Sequence, residues 1–326
     1  MITRTNAAAL MREDVANEIL QGVVQQSAVM QLARRLPNMS TKQRRLPVLS
    51  ALPTAGFIDG DTGRKPLTTM EWDNKMLEAE ELAVIVPIPE AVLDDASYDV
   101  WGEVRPRIEE AMGVAFDAAV LFGTGAPSSW PDDILTAAAA AGNTVAAGTG
   151  SDIYDDILGE GGVISLVEED GYFVTGHVAA RVMRARLRGL RDTTGQPIFM
   201  RSLDGGQNVQ ASTRYELDGS PIYFPGNNAV DPTEALMISG DWTQAVYALR
   251  QDITYKILDQ AVLQDASGDI VYNLAQQDMV ALRAVMRIAW QVANPITVGN
   301  SGNATRFPFA VLTPAAAGGG GDGGGG

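Results

Sequence analysis

The chain lacks cysteine entirely and has one histidine, His177, among its 326 residues. The absence of cysteine excludes disulfides, iron–sulfur ligation and thiol nucleophiles. One histidine leaves no pair for a metal ion and restricts a histidine-dependent triad to His177. No apolar run approaches the roughly 20 residues that a membrane helix needs, and the N-terminus has no signal-like apolar stretch. We therefore expect a cytoplasmic protein with no membrane contact.

Basic side chains are also scarce, with 24 against 40 acidic ones and a formal net charge of −16. Affinity for nucleic acids comes mainly from Lys and Arg that neutralise phosphates, so this balance argues against a nucleic-acid reader. The composition, 46% hydrophobic and 20% charged, is typical of a globular protein. The length fits one large domain or two ordinary ones.

The first third of the chain contains two different patterns. Residues 12–35 have apolar positions at helical spacing, which predicts a helical arm that Pro37 ends. Residues 44–87 favour extended structure instead, with glycines and charged residues at the tip of a long two-stranded excursion. A lone hairpin is marginal in water, so we expect a neighbouring surface, such as that of another subunit, to hold it.

A long amphipathic helix is predicted from Trp101 to Ala119, with Gly123 as its stop. Residues 124–162 are expected to be rich in loops because of their prolines and their alanine and glycine stretch. A second helix is predicted from His177 to Leu190. It carries Arg181, Arg184 and Arg188, and Arg191 just beyond it continues their spacing of three and four, which predicts one basic stripe.

The last third favours strands. The predicted strands are Ile222–Phe224, Leu236–Ile238, Val246–Leu249 and Ile253–Leu258, and the turn Asp265–Asp269 predicts a second hairpin. From Val280 to Val292 seven apolar residues alternate strictly, which indicates one long strand. The glycine-rich tail predicts a flexible coil.

Motifs for chemistry are weak. The chain has neither a Walker lysine nor a G-x-S-x-G elbow. Asp59 and Asp61 resemble part of a calcium loop without its later glutamate, so an acidic turn explains them better. Glu168, Glu169 and Asp170 could act as general acids or bases, but adjacent carboxylates before a glycine are typical of a solvated turn. His177 is expected at a helix start, satisfied by a local hydrogen bond.

Several segments, taken in their order along the chain, resemble the major capsid proteins of tailed bacteriophages, which have the Hong Kong 97-type fold. Residues 86–90 and 93–97 are similar to the segment that leads into the spine helix of that family. The other similar segments are Gly189–Gly195 with Pro197, Gly240–Trp242 with Arg250 and Ile253, and Val280–Pro295 with Arg287. The resemblance covers nearly the whole chain except the glycine tail.

The resemblance implies an α+β fold with five parts. These are an N-terminal arm (1–37), an extended loop hairpin (38–86), a peripheral domain with the spine helix and long strands (87–124 and 241–300), an axial domain (125–240) and a flexible tail (313–326). Its function would be to self-assemble, as hexamers and pentamers, into an icosahedral shell around double-stranded DNA. Separate scaffolding and portal proteins, assembly in the bacterial cytoplasm and a final place in the virion capsid are implied as well.

Some members of this family join subunits through an isopeptide bond between a lysine and an asparagine, assisted by a glutamate. Lys65 and Lys75 are the candidate lysines here, but the asparagine position falls at Asp278 and the glutamate position at Val285. We therefore predict a shell held without covalent links. No catalytic, cofactor or metal residue is expected. Charged residues are the candidates for subunit contacts: Asp59, Asp61, Arg64 and Lys65 at the loop tip, with Arg181, Arg184, Arg188 and Arg191.

Two alternatives stay open at the level of sequence. The same fold also builds encapsulin-type nanocompartments, cellular shells that hold an enzyme, although the long N-terminal arm favours a phage protein. A carboxylate-dependent hydrolase that uses Glu168 or Asp170 is a further alternative, supported by nothing beyond acidity.

Overall fold

The protein is an α+β fold in a computed structural model that describes residues 27–58, 64–65, 67–95, 100–190, 199, 215–226, 229–265, 267–302 and 304–315. In these ranges the helices are α1 (Ala28–Leu32), α2 (Glu90–Asp95), α3 (Val100–Phe122), α4 (Ile134–Ala141), α5 (Ile153–Leu158), α6 (Val163–Glu169) and α7 (Arg181–Gly189). The strands are β1 (Arg34–Arg35), β2 (Gln43–Ala51), β3 (Glu71–Glu78), β4 (Glu80–Pro89), β5 (Thr144–Ala146), β6 (Gly176–Ala179), β7 (Tyr215–Leu217), β8 (Ser220–Tyr223), β9 (Met237–Gly240), β10 (Ala245–Leu258), β11 (Val262–Gln264), β12 (Ile270–Asn273), β13 (Met279–Val292) and β14 (Phe309–Thr313). None of the described helices is long and apolar enough to cross a membrane.

Helix α3 confirms the predicted long helix and extends it to 23 residues. Its buried stripe includes Ile108, Met112 and Phe116, which contribute to the largest apolar core. Pro106 lies inside the helix near its N-terminal end. The helix stops before Gly123, whose φ of 68° is a left-handed conformation that glycine adopts without strain.

A four-stranded sheet in the order β1-β10-β13-β4 covers this helix. Strand β13 is antiparallel to both β10 and β4, and it confirms the strand predicted from strict alternation. The two strands predicted at Val246–Leu249 and Ile253–Leu258 are one strand, β10, in which the register shifts between Leu249 and Thr254. Such irregularities let one long strand bend, whereas a sequence pattern reads them as a break.

A six-stranded sheet in the order β5-β14-β9-β6-β8-β7 forms a second layer with its own core. Residues 124–162 are rich in loops and turns, as predicted, but the stretch also contains α4, β5 and α5, which the sequence pattern did not indicate. The alanine run forms α4: Asp133 caps its start by accepting a hydrogen bond from Thr136 N, and Gly142 ends it with a φ of 88°. Alanine has the highest helix propensity, and α4 is capped at both ends. The alanine run therefore forms a helix in spite of its low complexity.

The long excursion is a hairpin of β2 and β3, paired antiparallel from Gln43↔Glu78 to Ala51↔Glu71. Its returning strand ends at Glu78. The extended stretch predicted over residues 44–87 is therefore divided between the hairpin and β4, which belongs to the four-stranded sheet. The second predicted hairpin is confirmed as β11 and β12 around the turn at Asp265.

The predicted helical arm lies mostly outside the described residues, which begin at Ser27. Its expected end at residue 35 is wrong, because α1 ends at Leu32 and Arg34–Arg35 pair in parallel with β10. Buried Asp117 on α3 holds the start of α1: it accepts hydrogen bonds from Ser27 Oγ at 2.6 Å, Ala28 N at 2.8 Å and Val29 N at 3.1 Å. A carboxylate on α3 thus satisfies amides that a helix leaves without intrahelical partners.

Replacing this carboxylate should loosen the N-terminal segment. We expect Asp117→Ala to lower the free energy of unfolding of the unassembled chain by about 2–4 kcal/mol, because buried donors lose a charged acceptor. Asp133→Ala, which removes a local helix cap, is the matched control and should cost about 1 kcal/mol. Urea titration measures both values, and hydrogen exchange should localise the D117A effect to Ala28 and Val29. Equal losses in the two variants would contradict a special role for Asp117.

Candidate functional site

The outer part of the β2–β3 hairpin exposes large apolar side chains. Trp72 on β3 is 61% exposed, Leu67 is almost fully exposed, and Phe57 is fully exposed. Ile58 and Met70 add to the same exposed set, and the side chain of Met76, nearer the base, is exposed as well. Trp, Phe and Met are enriched where proteins contact one another. An exposed apolar set of this kind on a projecting element is typical of an interaction surface.

The base of the hairpin is fixed to the end of β13. Lys75 Nζ donates to Val292 O at 2.9 Å, and Gln291 Nε2 donates to Met76 O at 3.0 Å. On the other strand, Leu49 O accepts from Ile296 N at 3.0 Å. Burial lowers the pKa of Lys75, and the nearby charge of Arg306 lowers it further. The paired strands are therefore anchored as far as Leu49, which lies opposite Trp72, and the loop beyond them is open.

Lys42 forms a second anchor just before the hairpin. Its ammonium group lies 3.0 Å from carboxylate oxygens of both Glu78 and Glu80, so it bridges the end of β3 and the start of β4. These two carboxylates raise the pKa of Lys42. A hydrogen bond from Ser129 Oγ, followed by the bond from Lys42, lowers the pKa of Glu80. The bridge is solvent-exposed and contributes to orientation more than to stability.

Helix α7 presents most of the predicted basic stripe on one surface. Arg181, Arg184 and Arg188 line an open pocket of about 440 Å³ together with Phe224 and Gly226. Arg184 donates to Tyr215 Oη, and its guanidinium lies 5.0 Å from the centre of the Tyr215 ring. Arg181 donates to the carbonyl groups of Pro225 and Gly226. The fourth arginine, Arg191, lies outside the described residues.

The loop-tip candidates are only partly described. Asp59 and Asp61 lie outside the described residues, so the acidic turn stays a prediction. Arg64 and Lys65 are exposed. Across the described ranges no group of three or more histidine or carboxylate side chains is arranged to hold a metal ion.

His177 lies in strand β6 in the middle of the six-stranded sheet, so its predicted place at a helix start is wrong. Helix α7 begins four residues later, at Arg181. His177 Nδ1 is 2.8 Å from Ser239 Oγ on β9, while its Nε2 is buried with no partner among the described residues. Burial lowers its pKa to about 4. A neutral histidine closed off inside a sheet cannot reach a substrate, so its role is structural.

Asp170 is buried, so the prediction that it lies in a solvated turn is wrong. Its carboxylate accepts hydrogen bonds from Asn143 Nδ2 at 2.8 Å, Phe307 N at 2.9 Å and Asn300 Nδ2 at 2.7 Å. Glu168 and Glu169 end α6 and are exposed. The three carboxylates therefore have different surroundings. Asp170 bonds to loop residues next to the six-stranded sheet, whereas Glu168 and Glu169 face solvent.

The positions compared with the cross-linking residues contain no reactive pair. Asp278 lies in a turn before β13 with a φ of 49°, and its carbonyl accepts from Glu90 N. Val285 is buried within β13. Lys75 donates to the Val292 carbonyl, which is an anchoring contact.

Sequence reasoning missed the apolar character of the hairpin surface, although a signal was present. Phe57, Ile58 and Leu67 stand in a stretch that glycine and charge otherwise dominate. The anchor from Gln291 to Met76 has no local signal, because it joins residues 215 positions apart.

The lowered pKa of His177 predicts a pH dependence of stability. Between pH 6.5 and about pH 4 the unfolded chain binds a proton that the native chain does not, so stability falls as the pH decreases through this range. Over this range, the free energy of unfolding falls by about 3 kcal/mol because of His177. Denaturant titrations of the unassembled chain should show it.

His177→Gln is the control, since it should remove this part of the pH slope and leave that of the carboxylates. Because the chain has one histidine, its imidazole gives one set of NMR signals. A native His177 that titrates near pH 6.5 would contradict the prediction.

Three comparisons place the chain among known proteins. The model of the "Phage capsid family" matches residues 7–299. The major capsid protein of Staphylococcus phage 80alpha is 26% identical over 297 residues, which cover 90% of this chain and 85% of that protein. A solved chain from Microbacterium phage Oxtober96 is 36% identical, with a TM-score of 0.73 over 96% of this chain and 99% of that one. A chain from Mycobacterium phage Bobi is 33% identical, with a TM-score of 0.73 over 97% of this chain and 100% of that one.

Proposed function

The chain belongs to the phage capsid family and is a major capsid protein that forms an icosahedral shell, and we propose that its copies join as hexamers and pentamers around double-stranded DNA. The observation that carries this proposal is the β2–β3 hairpin, which is anchored to the rest of the subunit and exposes large apolar side chains. Such a surface is stabilised when a neighbouring copy covers it. The nanocompartment and hydrolase alternatives gain no support from the matches.

The hairpin is the main contact between neighbouring copies in this proposal. Exposed Trp72, Leu67 and Phe57 would be buried on the next subunit, and apolar burial contributes about 25 cal/mol per Å². Each contact is modest, and a shell repeats it at every subunit, so many weak contacts act together. The charged tip residues Asp59, Asp61, Arg64 and Lys65 would form the polar rim of that contact.

Changing the apolar surface should block assembly without unfolding the subunit. We expect Trp72→Glu to prevent the formation of particles, because a charge would be buried in the contact, while the melting temperature of the unassembled chain stays close to that of the wild type. Trp72→Phe is the matched control and should still assemble. Electron microscopy and sedimentation velocity measure the outcome, and normal particles from W72E would refute the role of the hairpin.

We propose that the chain has the five parts that the resemblance implies. The second apolar core lies within residues 145–237 and β14, which supports an axial domain (125–240), whereas the largest core joins the proposed peripheral domain (87–124 and 241–300) to Ile134, Val178 and Ile238. The proposed N-terminal arm is residues 1–37, the extended loop residues 38–86 and the flexible tail residues 313–326. Strand β14 lies in the six-stranded sheet, so the chain returns to the proposed axial domain after the peripheral one.

We propose that the shell is held without covalent links. An aspartate at position 278 offers no amide to displace, and a valine at position 285 transfers no proton. Lys75 is already used as a hydrogen-bond donor to Val292.

A denaturing gel tests this directly. Particles boiled in detergent should migrate as one band near 34.6 kDa, the mass of the chain. Lys75→Arg should leave that pattern unchanged. A ladder of heavier bands that disappears in K75R or in Lys65→Arg would contradict the proposal.

Further partners follow from the same proposal. We expect a separate scaffolding protein and a portal, enclosed DNA bound without sequence specificity, and assembly in the cytoplasm of the bacterial host. A net charge of −16 limits adhesion to the enclosed genome. We also propose that the chain has no enzymatic activity, which accords with a structural family and with the buried positions of His177 and Asp170.

A further inference from the structure

Charge is segregated along the part of the chain that forms the six-stranded sheet. Residues 143–180 contain no lysine or arginine. Their acidic residues are Asp152, Asp155, Asp156, Glu160, Glu168, Glu169 and Asp170. Residues 181–191 contain five arginines and no acidic residue. Opposite charges thus occupy separate elements of one sheet layer.

The arginine side of this layer is an open pocket with unused donors. Arg181 and Arg184 line it, and their described hydrogen bonds go to neutral oxygens of Pro225, Gly226 and Tyr215. Neither guanidinium forms an ion pair with a carboxylate in the described part of the chain. Each guanidinium has five N–H donors in a planar fork that fits a carboxylate.

The acidic side is formed by Glu168 and Glu169 in the last turn of α6. Both are exposed, and no basic residue lies in that turn. The C-terminal end of a helix carries partial negative charge, so these two carboxylates are unfavourably placed. The positive charge of Arg181 is also unfavourably placed. Arg181 is the first residue of α7, where the helix carries partial positive charge, and the first turn has no acidic residue. Both sites therefore gain from an external group of opposite charge.

The two sites lie towards opposite edges of the six-stranded sheet. Helix α6 packs against β9 and β14, on the side of the sheet that ends in β5. The arginine pocket is lined by Phe224 and Gly226, which directly follow β8, and Arg184 contacts Tyr215 on edge strand β7. A charge at one edge and its complement at the other edge can meet when copies associate side by side.

We propose that Arg181 and Arg184 of one copy bind Glu168 and Glu169 of a second copy in a head-to-tail contact between their six-stranded sheets. The proposal deepens the shell function above and rests on it, since it names the partner of the arginine pocket. A head-to-tail contact uses two different surfaces of the same chain, so it can propagate around a closed ring. In a chain this acidic, the arginines fix the register of that contact by opposing charge.

Charge reversal tests the contact. Arg181→Glu with Arg184→Glu places four acidic groups together in the contact, and Glu168→Arg with Glu169→Arg places four basic groups together. We expect each double variant to reduce the assembled fraction by about tenfold or more, since like charges in one contact cost several kcal/mol. Sedimentation velocity and electron microscopy of purified chains measure it.

Rescue separates a contact between copies from damage within one copy. The two double variants, each unable to assemble alone, should form hexamers when mixed in equal amounts, because they can alternate around a ring of six, whereas a ring of five cannot alternate. A chain that carries all four substitutions should also assemble. Arg186→Glu is the matched control: Arg186 is exposed on the same helix outside the pocket, so its reversal should leave assembly unchanged.

Each outcome decides the question. Normal assembly of either double variant, or folded variants that neither the mixture nor the fourfold chain rescues, would overturn the proposal. If R181E/R184E particles assemble normally but retain less DNA, the arginines bind phosphates and the proposal is wrong. Failure of the wild-type chain to form particles would instead overturn the shell function itself. Melting curves of the unassembled variants confirm that each is folded.

Discussion

The pairing of β13 on both of its sides is the constraint on which the rest of the structure depends. It joins β10 and β4, two strands separated by more than 150 residues, into one sheet over the spine helix. Its last residues also hold the hairpin: Val292 accepts from Lys75, and Gln291 donates to Met76. Strand β13 is buried in the core, and its last residues bond to the hairpin. The position of the core therefore fixes the position of the hairpin at the surface of the subunit.

A buried polar network joins the end of this strand to the six-stranded sheet. Asn294 accepts from Tyr172 Oη at 2.9 Å and donates to Arg306 O at 2.9 Å. Asp170 then binds Asn143 next to β5 and the amide of Phe307 just before β14. Buried polar groups are costly unless they are paired, so this network favours one arrangement of the connecting loops over others. Two separate apolar cores are thereby held in one subunit.

Elements whose pattern is local were predictable from the sequence, and elements that depend on distant partners were not. The alternation of β13 and the apolar stripe of α3 follow from their own residues, and both predictions are confirmed. The role of Asp117 depends on Ser27, 90 positions away, and no local pattern marks it. Helix α4 was missed because its alanines were interpreted as low complexity, although Asp133 and Gly142 are a recognisable pair of caps. The strand that contains His177 ends only two residues before α7 begins at Arg181, so the boundary between them has no clear local signal.

The anchored hairpin also acts as a lever. Strand β3 is eight residues long, which is about 26 Å at 3.3 Å per residue. Lys75, where Gln291 also holds the strand, lies about 13 Å from its far end, so a rotation of about 5° there would move that end by about 1 Å. Displacements of that size decide whether an apolar side chain fills a pocket on another copy or misses it. The curvature of a shell built from these subunits is therefore sensitive to a few hydrogen bonds near Val292, far from the surfaces that touch.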